Sequence, residues 1–203
     1  MHPTDKVLSP IVPVRLSEIF SEHVTTKETI LRYNGNNGDI VQSAFEGANS
    51  ASRLWRSDQV QFPIVVGSHW FLFSVCLKAK VFAFCDSLYN EGDAFHNAIR
   101  EPLIQNFVAL WNIIVTPQMS YQIDFNEFQT RYPPVPKQDN SDDCGVFLMK
   151  FMEIHDPRTQ MQNSFSQADI LNLRIKYANE IFFTKLNKID KTIVSEFFGD
   201  VGM

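Results

Sequence analysis

A chain of 203 residues, 44% hydrophobic and 13% aromatic, suits one globular domain with a full apolar core and leaves little room for a second. Eighteen basic against twenty-three acidic residues give a net charge of −5 and a pI near 5.5, so there is no electrostatic footprint for nucleic acid or an anionic membrane. The long uncharged stretch 59–77 contains Gln61, Pro63, Gly67, Ser68 and His69, which hydrocarbon would leave without partners, and it is therefore not read as a membrane span.

In chain order, residues 1–16 carry Pro3, Pro10 and Pro13 and are predicted to be an extended lead-in. Helical signals follow at 17–23 and at Thr25, where Glu28 completes a capping box ahead of Ile30 and Leu31. Residues 34–52, rich in Asn, Gly and Ser, are predicted to hold a loop and a short helix around 40–45. From Val60 the texture changes to VQFPIVV, HWFLFSVCL and VFAFC, β-branched and aromatic runs of strand length separated by short polar breaks. Only Ser74 and Cys76 interrupt the second run, so these strands are expected to be covered by helices on both sides. Residues 91–111 place Phe95, Ala98, Ile99, Leu103, Phe107 and Leu110 at helical spacing, with Pro102 the one defect, which predicts one kinked helix or two short ones. Residues 113–115 are expected to form a further strand, and residues 132–141, with three prolines, a loop. Residues 145–154 are apolar nearly all round and predict a buried helix; Ser166 and Asp169 are expected to cap a last amphipathic helix through Leu171, Ile175, Ala178 and Phe182.

Reflecting His69 through a turn near Ala79 lands close to residue 89, so His69 and Asp86 are expected at the same open end of two antiparallel strands. Neighbours across such a pair stand about 5 Å apart, a spacing at which a carboxylate can take the imidazole Nδ1 proton, fix the tautomer and stabilise imidazolium. The same two residues could equally make a strand-end salt bridge, so a nucleophile has to separate the readings. The polar loop Gln138-Asp139-Asn140-Ser141-Asp142-Asp143 delivers Cys144 to the first turn of the predicted buried helix. A helix N-terminus and a nearby imidazolium both favour thiolate, the nucleophilic form, which makes Cys144 the candidate nucleophile. Asp142 and Asp143 are expected to cap that helix, and Gly145 to let a substrate backbone come close. Gln138 can return its amide N–H toward the same pocket, where with the Cys144 backbone N–H it would form an oxyanion hole; otherwise it is a solvated loop glutamine.

His69-Trp70, Cys85-Asp86-Ser87-Leu88, Gln138 and Asp143-Cys144-Gly145-Val146-Phe147 resemble the ubiquitin-like-protein-specific cysteine proteases, the SUMO protease family, in residue type, order and spacing. Asp86 follows His69 by 17 residues and Cys144 follows Gln138 by 6, offsets that match the family pattern. The resemblance runs from about residue 60 to residue 183, and the texture of 144–153 followed by Leu173-Arg174 is similar to the plant branch. It implies an α/β (α+β) papain-like fold, a central mixed sheet flanked by helices, in a single catalytic domain over 1–203 with a short variable part (1–59) and a catalytic core (60–187). It further implies peptidase or isopeptidase action after a Gly-Gly terminus, with His69 as general base, Asp86 as orienter, Gln138 in the oxyanion hole and Cys144 as nucleophile. Trp70 would then wall the tunnel that takes the Gly-Gly tail, core packing being its other reading. The implied partner is a ubiquitin-like protein of SUMO type, as precursor or conjugate, acted on by a monomer with no cofactor, metal, nucleic acid or membrane. The chain departs from the family at Trp55, the only tryptophan before Trp70, which lacks the Leu-x-Asp motif that accompanies the other half of the clamp.

Two other functions use the same residues. An acetyltransferase would carry acetyl on the cysteine and require a basic phosphate pocket, for which Lys137 and Lys150 are the cations near Cys144 in sequence; a non-catalytic module would hold the ubiquitin-like protein without cleaving it. The lack of a secretory signal, of any Asn-x-Ser/Thr sequon and of a disulfide framework among Cys76, Cys85 and Cys144 points to an intracellular, nuclear or cytoplasmic chain. Cys76 and Cys85 are expected to act as small buried hydrophobes. His2, His23, His96 and His155 have no ligand or nucleophile at useful spacing and are expected to carry no chemistry.

Overall fold

The apolar runs after residue 58 are strands in a computed structural model, which describes residues 53–192 and residue 194. β1 (Gln59–Val66), β2 (His69–Cys76) and β3 (Val81–Cys85) are antiparallel neighbours, and β4 (Gln129–Arg131) joins β3 in parallel, giving a mixed sheet in the order β1-β2-β3-β4. Gly67 and Ser68 alone connect β1 to β2; Gly67 has φ of 61°, the left-handed first position of a tight hairpin turn that a side chain would strain. Among the described residues β1 is an edge strand with one ladder to keep, which accommodates Pro63.

Alternation along the strands sorts the side chains to two faces. One face carries Phe62, Ile64, Phe71, Phe73, Val75, Phe82 and Phe84 and is covered by α1 (Ala94–Ile114) through Ile99, Leu103, Phe107, Leu110 and Trp111. The Phe73 ring centroid lies 5.0 Å from that of Phe84, 5.7 Å from that of Phe62 and 6.3 Å from that of Phe107, so this face is an aromatic layer. Burying each such side chain contributes about 1.5–3 kcal/mol, which explains why α1 runs unbroken for 21 residues across Pro102 despite the roughly 3 kcal/mol an interior proline costs. Residues 113 and 114, expected in a strand, instead finish α1: Ile114 continues the buried stripe, and a short apolar run reads alike in helix and strand. β4 has no apolar signature at all, its three residues being exposed; it is held by main-chain pairing from Val81↔Gln129 to Ala83↔Arg131.

The opposite face mixes Gln59, Gln61, Ser74, Cys76, Ala83 and Cys85 with apolar Pro63, Leu72 and Val81 and has no phenylalanine. α2 (Cys144–Ile154) packs on β2 from this side, and the glutamine amides satisfy carbonyls at its C-terminal end: Gln61 donates to Met152 O at 3.3 Å and Gln59 to His155 O at 3.0 Å. α2 buries Cys144, Phe147, Leu148 and Phe151 and exposes Met149, so it is amphipathic rather than buried all round as its composition suggests. Helices thus cover both faces of the sheet, as expected, and residues 132–141 contain no helix or strand.

Contacts divide the chain into two units, residues 1–167 and 168–203. The second holds α3 (Ile170–Phe183). The expectations for residues 1–16, 17–23, 25–31 and 34–52 lie outside the described residues.

Candidate active site

β2 overhangs β3, because their ladder stops at Leu72↔Cys85. One step further, Asp86 comes level with Phe71 and diagonal to His69, on the same face of the sheet. His69 Nε2 lies 2.9 Å from Asp86 Oδ1, and both residues are buried. The contact corrects the expected nitrogen: an imidazole reaching two residues along the strand presents its distal Nε2 to the carboxylate and leaves Nδ1 facing elsewhere. Tyr89 and Phe95, stacked on each other at 4.3 Å, meet the His69 ring edge to face at 5.1 and 5.5 Å and hold its plane.

Asp86 serves more than His69. Its Oδ1 also accepts the backbone N–H groups of Leu88 (2.7 Å) and Tyr89 (3.0 Å), an Asx turn that ends the strand, and its Oδ2 accepts from His96 Nε2 at 3.0 Å. Burial pushes this carboxyl up, but the hydrogen bonds from His69 and His96, the charge of His69 and the Leu88 N–H outweigh it and hold Asp86 well below the usual carboxylate range. His96 is the site residue that sequence reasoning missed. The signal was present in its spacing, three residues before Ile99 and seven before Leu103, which puts an imidazole on the apolar stripe of α1, but nothing local says which partner it meets.

The proline-rich loop is tied to the turn after Asp86. Lys137 Nζ donates to the carbonyls of Asp86 (2.9 Å) and Tyr89 (2.8 Å), and the Gln138 backbone N–H donates to Ser87 O at 3.0 Å. Burial lowers the Lys137 pKa, opposed by the charges of Asp86 and Asp93. Ser87 Oγ donates to Gln138 Oε1 at 2.5 Å and Gln138 Nε2 donates to Asn140 O at 2.6 Å, so this glutamine is buried with a fixed amide, not solvated. Asn140 Oδ1 accepts from the backbone N–H groups of Asp142 and Asp143 at 2.9 and 3.1 Å, shaping the last turn before Cys144.

Cys144 is the first residue of α2, and its Sγ donates toward Ser68 O at 3.8 Å, beside the residue that precedes His69. As first helical residue it has a backbone N–H with no intrahelical acceptor. Asp143 occupies the N-cap position, yet its side chain makes no cap bond as expected of it; Oδ2 instead accepts from Asn140 Nδ2 and Gln167 Nε2, each at 2.6 Å, which fastens the loop from a later segment. A Cβ added at Gly145 would meet no atom within 4 Å, so the surface next to the thiol is open. Trp70 is half-buried and, one residue on from His69, points to the opposite face of β2. Trp55 lies in a short 3-10 turn (Leu54–Arg56) and packs against the aromatic core.

The remaining thiols, Cys76 and Cys85, end β2 and β3 on the face toward α2. His155, expected to be bland, is buried with Nε2 3.8 Å from Cys76 Sγ and Nδ1 3.9 Å from Cys85 Sγ. Burial lowers the His155 pKa to about 4, against the opposing charge of Asp156, raises Cys76 to about 11 despite its hydrogen bond to Ser74, and raises Cys85 further. Among the described residues no group of three or more His, Cys, Asp or Glu side chains could hold a metal ion, and no helix is long and apolar enough to cross a membrane.

Residues 33–186 match the Ulp1 protease family, C-terminal catalytic domain. Ubiquitin-like-specific protease 1A of Arabidopsis thaliana is 25% identical over 72% of this chain and 30% of its own, and a sentrin-specific protease of Caenorhabditis elegans is 28% identical over 73% of this chain and 20% of its own. The chain therefore spans less than a third of these curated relatives. Among solved structures, the C-terminal Ulp1 protease domain in complex with Smt3, the yeast ortholog of SUMO, superposes with a TM-score of 0.57 at 21% identity, over 81% of this chain and 68% of that one. The catalytic domain of the Chaetomium thermophilum Ulp1-like SUMO protease gives 0.52 at 19% identity, over 85% and 60%. These likenesses show the papain-like cysteine protease fold. The match over most of its length places this chain in the Ulp1 protease family, in the part that forms that family's C-terminal catalytic domain.

Proposed function

We propose that this chain is a cysteine peptidase and isopeptidase that cleaves after the Gly-Gly terminus of a SUMO-type modifier, as precursor or conjugate. The observation that carries the proposal is the convergence of three elements at one end of β2: the His69–Asp86 pair at 2.9 Å, the Gln138 loop stapled to Ser87, and Cys144 at the start of α2 beside Ser68. Family membership and the names of the matched relatives support the substrate class.

In this mechanism the Cys144 proton passes to His69, whose Nε2–H stays on Asp86, and Sγ attacks the carbonyl carbon of the terminal glycine. The carbonyl oxygen becomes an oxyanion, held by the Gln138 amide and the Cys144 N–H. Collapse of the tetrahedral intermediate breaks the C–N bond as His69 returns its proton to the leaving amine, leaving a thioester. Water then attacks, giving its proton to His69, and the second collapse expels the sulfur and frees the carboxylate. The acetyltransferase alternative is disfavoured, because Lys137 is committed to two main-chain carbonyls and Lys150 pairs with Glu153 at 3.2 Å.

A SUMO C-terminal vinyl-sulfone tests the proposal, with a ubiquitin vinyl-sulfone as the specificity arm. Wild type is expected to form an adduct with the SUMO probe that mass spectrometry maps to Cys144 and that Cys144→Ala abolishes. Wild type that stays unlabelled, or an adduct on Cys76 or Cys85, overturns the proposal.

A further inference from the structure

We propose that His96 is a positioning residue for this reaction, holding Oδ2 of Asp86 so that Oδ1 is aimed at His69; the inference rests on the cysteine protease proposal above. The two imidazoles approach the carboxylate from different elements, His69 from β2 and His96 from the first turn of α1, at 2.9 and 3.0 Å. Three donors already converge on Oδ1. Oδ2 receives His96, and this second anchor stops the carboxylate from rotating about its Cβ–Cγ bond and offering His69 a misdirected lone pair.

Packing alone does not explain a histidine at this position. His96 is fully buried among rings, with centroids 5.5 Å from Phe71, 5.7 Å from Phe84, 5.3 Å from Phe95 and 5.0 Å from Tyr132. Its Nδ1 is buried there without a hydrogen-bond partner. An orphaned polar atom of this kind costs about 1–3 kcal/mol, which an apolar side chain of similar size would avoid. What only the imidazole supplies is a ring N–H at a fixed place, and the orphaned Nδ1 indicates where the proton is: on Nδ1 it would be a buried donor without an acceptor, on Nε2 it meets Asp86. The aromatic cage then sets the direction of that N–H, and through Asp86 the direction of His69.

The test uses the full chain, a C-terminal fluorogenic SUMO derivative as substrate and the SUMO vinyl-sulfone to count reactive sites. With rates taken per titrated site, His96→Leu is expected to lower kcat by about ten- to a hundred-fold with KM little changed. His96→Gln, whose amide N–H can stand where Nε2 does, is expected to recover most of that loss. A merely structural histidine would lower the melting temperature and the titratable fraction in both variants while leaving kcat per site at the wild-type value, and that result overturns the inference while the protease proposal stands. Wild type that neither turns over the substrate nor takes the probe overturns both. Should His96→Leu fail to fold, 15N shifts of the histidine rings in the wild type decide: the Nε2–H tautomer at His96 supports the assignment and the Nδ1–H tautomer refutes it.

Discussion

Both oxygens of Asp86 accept a ring N–H, one from His69 and one from His96, and this makes the residue intolerant of its closest isostere. Asparagine has one acceptor oxygen, so Asp86→Asn must turn an NH2 toward one of the two histidines and force a tautomer change there. We expect kcat/KM to fall by about a hundred-fold or more by steady-state kinetics. Wild-type kinetics in that variant would remove Asp86 from the mechanism. Gln138 is set up in a comparable way, since the Ser87 hydroxyl takes its Oε1 and thereby turns its NH2 end to the loop before Cys144. Gln138→Ala should lower kcat by about 10²- to 10³-fold with KM little changed, because an oxyanion donor acts in the transition state, and Ser87→Ala should show a smaller loss of the same kind as the amide is freed to flip. A raised KM with unchanged kcat would instead put Gln138 in ground-state binding.

The elements that hold these residues follow from two different kinds of packing. The α1 face of the sheet is an aromatic layer, and Phe73 is central to it, its ring meeting those of Phe62, Phe82, Phe84 and Phe107. Phe73→Ala should cost about 3–5 kcal/mol in urea unfolding, as expected for a ring whose neighbours cannot collapse into the space. A loss near zero would mean that this layer is fluid. The α2 face mixes small, polar and aliphatic residues, and the helix that carries Cys144 is anchored there by Gln59 and Gln61. That difference explains why the strands were readable from their composition, whereas the role of the glutamines in β1 was not: a polar residue in a strand marks a face, but its partner comes from a helix some ninety positions later.

For the molecule, acid is the vulnerable direction. Burial holds the His155 pKa at about 4 against the ordinary 6.5 of a free imidazole, so between these pH values the unfolded chain binds a proton that the folded chain refuses. More protons on the unfolded state mean that stability falls as pH falls, by up to about 3 kcal/mol once pH 4 is reached. Asp86, held well below the usual carboxylate range, adds a loss in the same direction as pH drops below about 4. Urea midpoints measured at pH 7, 5.5 and 4.5 should therefore decline in the wild type and decline less in His155→Leu. Equal declines in the two proteins would show that His155 is protonated in the folded state.

Much of this protein was legible from residue types and offsets. Continuous apolar runs identified β1, β2 and β3; helical spacing identified α1, and near-uniform apolarity α2; and His69, Asp86, Gln138 and Cys144 stood out as a candidate site through residue types and offsets that together resemble one family. Those signals are local, carried by one residue and its near neighbours in sequence. The tertiary structure decided what no local pattern contains: that the His69 ring offers Nε2 rather than Nδ1 to Asp86, that Asp143 braces the loop through Asn140 and Gln167 instead of capping α2, that β4 exists by main-chain pairing alone, and that His96 stands on the second oxygen of Asp86. The physical reason is common to all four. A hydrogen bond depends on where an atom is placed to within a few tenths of an ångström, and that placement is set by how whole elements pack, not by the residues that flank it in the chain.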